Sequence, residues 1–258
     1  MSEEKRLAVL IDAENISYKY IKILFDEASN YGITTFRRIY GDWTCPRNAG
    51  WKDVLLDYSI TPIQQYSYTE GKNASDSALI IDAMDILYTE RVDGFILVSS
   101  DSDFTRLASR LRESGMLVLG MGESKTPSPF IAACNSFKYL DILYESSEEE
   151  KKDPKKIFKN GSNNKKTYKQ DPRLQPRTKL STIRRALKMI INENSDEDSF
   201  MSLANLGNQL SKRYPDFDVR NYGHKKFVTF VESLGDFYID PRSVSADGKT
   251  KQFFIRMK

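Results

Sequence analysis

The sequence predicts two units: an α/β domain built on a mostly parallel sheet with helices on both faces, and a small α+β winged helix after it. Three observations carry that prediction. Short β-branched runs alternate with longer helical periods through roughly the first 140 residues. The apolar periodicity then stops across a stretch rich in Lys, Pro and Asn. Three helical periods and a hairpin pattern follow. The division read from these features is residues 1–144, a connector at 145–179 and a second unit at 180–258.

In order, Arg6 to Ile11 reads as a strand, Tyr18 to Asn30 as a helix, Thr34 to Tyr40 as a strand, Ala49 to Tyr58 as a helix and Thr61 to Gln65 as a short strand. The pattern repeats with a helix at Ala74 to Tyr88, a strand at Gly94 to Ser99, a helix at Phe104 to Ser114 and a strand at Met116 to Gly120. A short helix at Pro129 to Cys134 and a strand near Lys138 to Leu140 complete it. Such alternation implies right-handed crossovers, which make the sheet parallel and leave ligand sites beyond the carboxyl ends of its strands. In the second unit Thr182 to Asn192, Leu203 to Tyr214 and Lys225 to Leu234 read as helices. Phe237 to Ile239 and Gln252 to Ile255 read as a hairpin around Asp247, Gly248 and Lys249.

Charge divides close to the same boundaries. Residues 1–150 carry 15 basic and 24 acidic side chains, residues 151–179 carry 11 and 2, and residues 180–258 carry 13 and 10, giving net charges of −9, +9 and +3. A basic connector and a mildly basic second unit fit a polyanionic partner; the bland reading of the connector is a solvated, flexible spacer. Apolar runs such as Leu7 to Ile11 are too short to cross a bilayer, and no secretory core precedes Asp12, so the chain reads as soluble and cytoplasmic. Cys45 and Cys134 lack metal-ligand or disulfide spacing, and at least one reads as a buried apolar residue. With His224 the only histidine, chemistry in the first unit must use carboxylates, hydroxyls or Lys and Arg.

Four aspartates fall where the topology expects a site. Asp12 follows the first strand, Asp101 and Asp103 follow the strand ending at Ser99, and Asp76 opens the helix at Ala74. Helix arithmetic places Asp76 in the middle of a stripe formed by Leu79, Ile80, Ala83, Met84 and Leu87, facing the sheet. Each acid taken singly can be a helix cap. Four converging carboxylates repel one another unless a cation neutralises them, and hard oxygen ligands without His or Cys select Mg²⁺ or Mn²⁺.

The segments Leu10-Ile11-Asp12-Ala13-Glu14-Asn15, Gly71-Lys72-Asn73-Ala74-Ser75-Asp76 with Ile81-Asp82-Ala83-Met84-Asp85, and Val98-Ser99-Ser100-Asp101-Ser102-Asp103-Phe104 resemble the three motifs of the NYN domain family, a branch of the PIN-like ribonucleases. The resemblance implies a PIN-like sheet and a metal-dependent endonuclease acting mainly on RNA. It makes Asp12, Asp76, Asp101 and Asp103 the catalytic and metal-binding acids, with Mg²⁺ or Mn²⁺ as cofactor. It also implies supporting roles for Asn15, Ser99 and Asp82, although Asp82 lies about 120° from the apolar stripe and reads equally as a solvated flank. Lys72 is a phosphate contact or an ordinary exposed lysine.

In the second unit, Leu206-Gly207, Lys212 to Asp218 and Asn221-Tyr222-Gly223-His224-Lys225-Lys226-Phe227 resemble the OST-HTH domain, also called LOTUS. That resemblance implies RNA binding, with G-rich or quadruplex RNA favoured in some members, and in some cases protein docking. Tyr222, His224, Lys225 and Lys226 join stacking groups to cations at a helix start, and Lys249 and Lys251 add two on the wing. The leading expectation is a tethered two-domain endoribonuclease. The alternative is a non-catalytic RNA-binding adaptor, and a carboxylate phosphotransferase of receiver type stands behind both.

Overall fold

A computed structural model describes residues 4–65, 74–152, 175–194, 200–243 and 251–258. The chain forms two units, Met1–Lys152 and Asp153–Lys258.

The first unit runs β1 (Arg6–Asp12), α1 (Ile21–Ala28), β2 (Ile33–Gly41), α2 (Lys52–Leu55), β3 (Thr61–Gln64), α3 (Ala74–Tyr88), β4 (Gly94–Val98), α4 (Thr105–Glu113), β5 (Leu117–Gly122), α5 (Ser128–Ala133), β6 (Ser136–Tyr139) and α6 (Leu140–Lys152). Its sheet has the order β3-β2-β1-β4-β5-β6, every pair parallel. Leu7 to Ile11 and Gly94 to Val98 are buried throughout, because central parallel strands are covered on both faces and must be apolar at every position. Leu7, Val9 and Ile11 pack with Ile21, Leu24 and Ala28 of α1 and with Leu140 on one face. By strand alternation Asp12 points to the opposite face, the one shared with α3.

The order reverses between β1 and β4, whose paired carboxyl ends bring Asp12 beside Ser99. Such a reversal leaves a crevice, because the connections on either side leave in opposite directions. Close packing sharpens it: a Cβ on Gly122, at the end of β5, would lie 2.5 Å from the Ser99 carbonyl oxygen.

Two elements depart from expectation. Helix α6 carries through Glu145, the expected start of the connector, to Lys152; its Leu140, Ile142 and Leu143 are buried, and its Glu and Lys residues are good helix formers. The buried face of α3 consists of Ser75, Leu79, Ala83, Ile86 and Leu87. It is thus rotated from the stripe read in the sequence, in which Ile80 and Met84 stood inward. Apolar residues surround this helix, Ile81 and Tyr88 included, so its periodicity is a weak guide to its orientation.

The second unit comprises α7 (Leu180–Asn194), β7 (Met201–Ser202), α8 (Leu203–Arg213), α9 (Phe227–Leu234), β8 (Phe237–Ser243) and β9 (Lys251–Met257). The strands form an antiparallel sheet in the order β7-β9-β8. Its core gathers Ile183, Leu187 and Ile190 of α7, Leu206 and Leu210 of α8, Phe230 and Val231 of α9, and Ile255 of β9. The strand β7 was not read in the sequence. It is two residues long and exists only by pairing with β9. The turn proposed around Gly248 lies outside the described residues. Among the described residues no helix is long and apolar enough to cross a membrane.

Candidate active site

Asp12 ends β1 and is 2% exposed. Four donors hold its carboxylate: the Glu14 and Asn15 backbone N–H groups at 3.0 and 3.3 Å, the Asn15 side-chain amide at 2.8 Å and the Ser99 hydroxyl at 2.7 Å. Burial pushes the Asp12 pKa up, and these bonds act against that shift. Ser99 is a relay, since its Oγ donates to Asp12 and accepts the Asp101 backbone N–H at 3.0 Å. Asp101 in turn accepts the Asp103 N–H at 2.9 Å and caps the 3-10 turn Ser102–Phe104 that leads into α4. The capping role is therefore real for Asp101, and it fixes the carboxylate beside the β1–β4 crevice.

Asp76 enters from the first turn of α3 and is half-buried. Its pKa is pushed up to about 7, first by burial and then by the charges of Asp12, Asp101, Asp103 and Glu14. The acids from all three motifs therefore share one electrostatic neighbourhood. Glu14 was not singled out by sequence reasoning. Its carboxylate accepts the hydroxyl of buried Ser75 at 2.9 Å and ties the β1 loop to α3. The signal available was its place two residues beyond Asp12, opposite a Ser next to Asp76. Exposed Arg47 also feels the Glu14 charge.

Asp82 has a different role from a solvated flank. Because the buried face of α3 is rotated, Asp82 meets β2, where it pairs with the Arg38 guanidinium and accepts the Tyr40 hydroxyl. Lys72 lies outside the described residues.

The donor set consists of carboxylate oxygens, with no thiolate or imidazole, and fits a hard divalent cation. Burial first, and then the neighbouring negative charges, raise the Asp76 pKa, and those charges are what such a cation would offset. Among the described residues, however, no group of three or more His, Cys, Asp or Glu side chains is disposed to hold a metal ion. The acids are neighbours without being a ready-made cage.

In the second unit the residues marked for RNA separate. Tyr222 donates its hydroxyl to the Thr178 carbonyl at 2.8 Å, and its ring packs on Phe217 and Phe230. His224 sits edge-on to Phe230 with Nε2 3.2 Å from the Ser233 hydroxyl, and burial lowers its pKa. Both rings take part in the domain's own packing and are partly exposed. Lys225 and Lys226 are exposed before α9. Lys249 lies outside the described residues, and Lys251 opens β9 with its side chain likewise outside them.

The NYN domain family model matches residues 6–141, and the OST-HTH/LOTUS domain model matches residues 178–247. No curated protein matches the chain. Solved structures similar to it include the following two. One is the crystal structure of a protein of unknown function from Vibrio parahaemolyticus, 20% identical over 55% of this chain and 96% of that one, with a TM-score of 0.46. The other is the solution NMR structure of an uncharacterized protein from Nitrosomonas europaea, 32% identical over 38% and 92% of the two chains, with a TM-score of 0.27.

Proposed function

The chain belongs to the NYN domain family of PIN-like nucleases and carries a C-terminal OST-HTH/LOTUS domain, and from that premise we propose that it is a metal-dependent endoribonuclease whose second unit recruits the RNA. What supports the reading is that Asp76 feels the charges of Asp12, Asp101 and Asp103, so that acids from all three motifs act on one another electrostatically. The charges acting most strongly on Asp76 are all negative. Carboxylates serving only as caps need not converge.

Asp12, Asp76, Asp101 and Asp103 would hold Mg²⁺ or Mn²⁺. Such an ion supplies charge neutralisation at a phosphodiester and acidifies water. The chain's own part is orientation. Ser99 and Asn15 fix the Asp12 carboxylate, the 3-10 turn fixes Asp101, and the first turn of α3 carries Asp76. Asp76 and the exposed Asp103 would complete the cage or orient water for in-line attack at phosphorus. In the second unit the exposed Lys225 and Lys226 would supply cations for phosphates.

The test is a time course on labelled single-stranded RNA, single-stranded DNA and G-rich RNA, with and without EDTA. Cleavage of RNA should require Mg²⁺ or Mn²⁺. Asp12→Asn and Asp101→Asn should each lose about a hundredfold or more, since each removes a charge expected to act on the metal directly. Equal cleavage by these variants would sink the assignment. One observation favours a second reading, a non-catalytic RNA-binding adaptor: the acids form no ready-made metal cage. RNA binding without any EDTA-sensitive product would decide for it.

A further inference from the structure

The outer face of the small sheet in the second unit carries a ladder of rings and guanidinium groups. Arg242 of β8 lies over the rings of Phe200 and Phe254, 4.6 and 4.5 Å from their centroids. Arg256 of β9 lies over Phe200 and Tyr238, 5.1 Å from each. The rungs thus alternate as Phe254, Arg242, Phe200, Arg256 and Tyr238. The register explains the grouping. Tyr238 pairs with Arg256 and Arg242 with Gln252, so their side chains share the face opposite the core residues Phe237, Ile239 and Ile255.

None of the three rings belongs to the core cluster, and Tyr238 is 48% exposed. Cation–π pairs occur about once per 70–80 residues in ordinary proteins, and here four meet in one small patch. The charge is also unevenly offset. Arg242 pairs with Asp240 at 2.9 Å, whereas exposed Arg256 makes no ion pair among the described residues. Exposed planar groups, with a cation at the open end, are complementary to a chain that has both π-faces and negative charge. Unpaired nucleotides have both, while a duplex keeps its bases stacked on one another.

We propose that this ladder is the surface on which the second unit stacks the bases of single-stranded RNA, with Tyr238 and Arg256 receiving the first base and the guanidinium edges meeting the phosphates. The inference rests on the reading that the second unit recruits RNA, and it moves the stacking role from Tyr222 and His224 to the sheet. It also implies a preference for unpaired segments with little dependence on sequence, because every base has a π-face.

The test measures binding of the full chain in EDTA to labelled oligouridine and to a blunt RNA duplex. Tyr238→Ala should weaken oligouridine binding about tenfold and duplex binding much less. Arg256→Lys keeps the charge and loses the planar group, and it should weaken oligouridine binding about fivefold. Both positions are exposed, and unchanged melting temperatures verify that the fold is intact. Equal binding by both variants overturns the inference, and is the result expected if the patch docks a protein instead. If Lys225→Gln with Lys226→Gln is then the variant that loses binding, RNA recruitment stands and the ladder fails. If the wild-type chain binds neither RNA, both readings fall.

Discussion

Asp76 shows how one side chain reports on its site. Its folded pKa of about 7 lies above the ordinary 3.8, so the folded state binds more protons than the unfolded state between those values. Stability of the metal-free protein should therefore fall as pH rises from about 4 to about 7 and level off above that. Asp76→Asn removes the penalty. At pH 8 in EDTA we expect it to raise stability by on the order of 1 kcal/mol, a figure discounted for the solvent that screens a half-exposed group. Thermal melting should show a shift of a few degrees. Mg²⁺ or Mn²⁺ should stabilise the wild type more than this variant, and an equal effect on both would remove Asp76 from the metal site. Ser99 makes the complementary case. Ser99→Ala deletes the bond to Asp12 and the acceptor for the Asp101 N–H. Cleavage should drop about 10- to 100-fold with the metal requirement retained. Ser99 and Asp76 were both legible in the sequence, because each stands in a strand-end or helix-start motif. Glu14 and Ser75 were not, because their hydrogen bond joins residues 61 positions apart.

At the scale of elements, α3 is held on the sheet by more than its apolar face. Asp82, with Arg38 and Tyr40 of β2, forms a partly buried polar anchor near the middle of the helix. Removing one partner of such a group strands the others, so Asp82→Asn should cost about 1–3 kcal/mol in unfolding experiments. Its metal affinity should stay near that of the wild type, because Asp82 is engaged by β2; a loss matching that of Asp76→Asn would return Asp82 to the metal site. Gly122 tests the other wall. Gly122→Ala drives a methyl group toward the Ser99 carbonyl, and separating β5 from that loop should cost about 1–3 kcal/mol and disturb Asp12 and Asp101 together. Both effects can be read from one preparation by melting and cleavage. The sequence showed that α3 exists but not its rotation, since a helix with apolar residues on every side does not announce which face is inward.

For the whole molecule, the uneven charge becomes a division of labour. Residues 1–152 carry a net charge of −7 and would tend to repel RNA, while residues 153–258 carry +10. Deleting residues 153–258 should weaken RNA affinity and reduce its salt dependence, and should change the single-turnover rate at saturating RNA much less. Unchanged affinity would count against the division. Each unit has its own core, so the truncated chain is expected to fold.

The sequence by itself determined the two-unit plan, the parallel order of β and α elements in the first unit, and the four aspartates at the ends of its strands and start of its helix. These are local properties: period, run length and position relative to a strand end can be read along the chain. Only the tertiary structure decided that Asp82 faces Arg38, that Glu14 reaches Ser75, that Tyr222 and His224 turn to the domain's packing, and that three rings and two arginines from separate segments make one ladder. Such groupings depend on helix rotation and strand register. Packing sets both between residues far apart in the chain, and no local pattern encodes it.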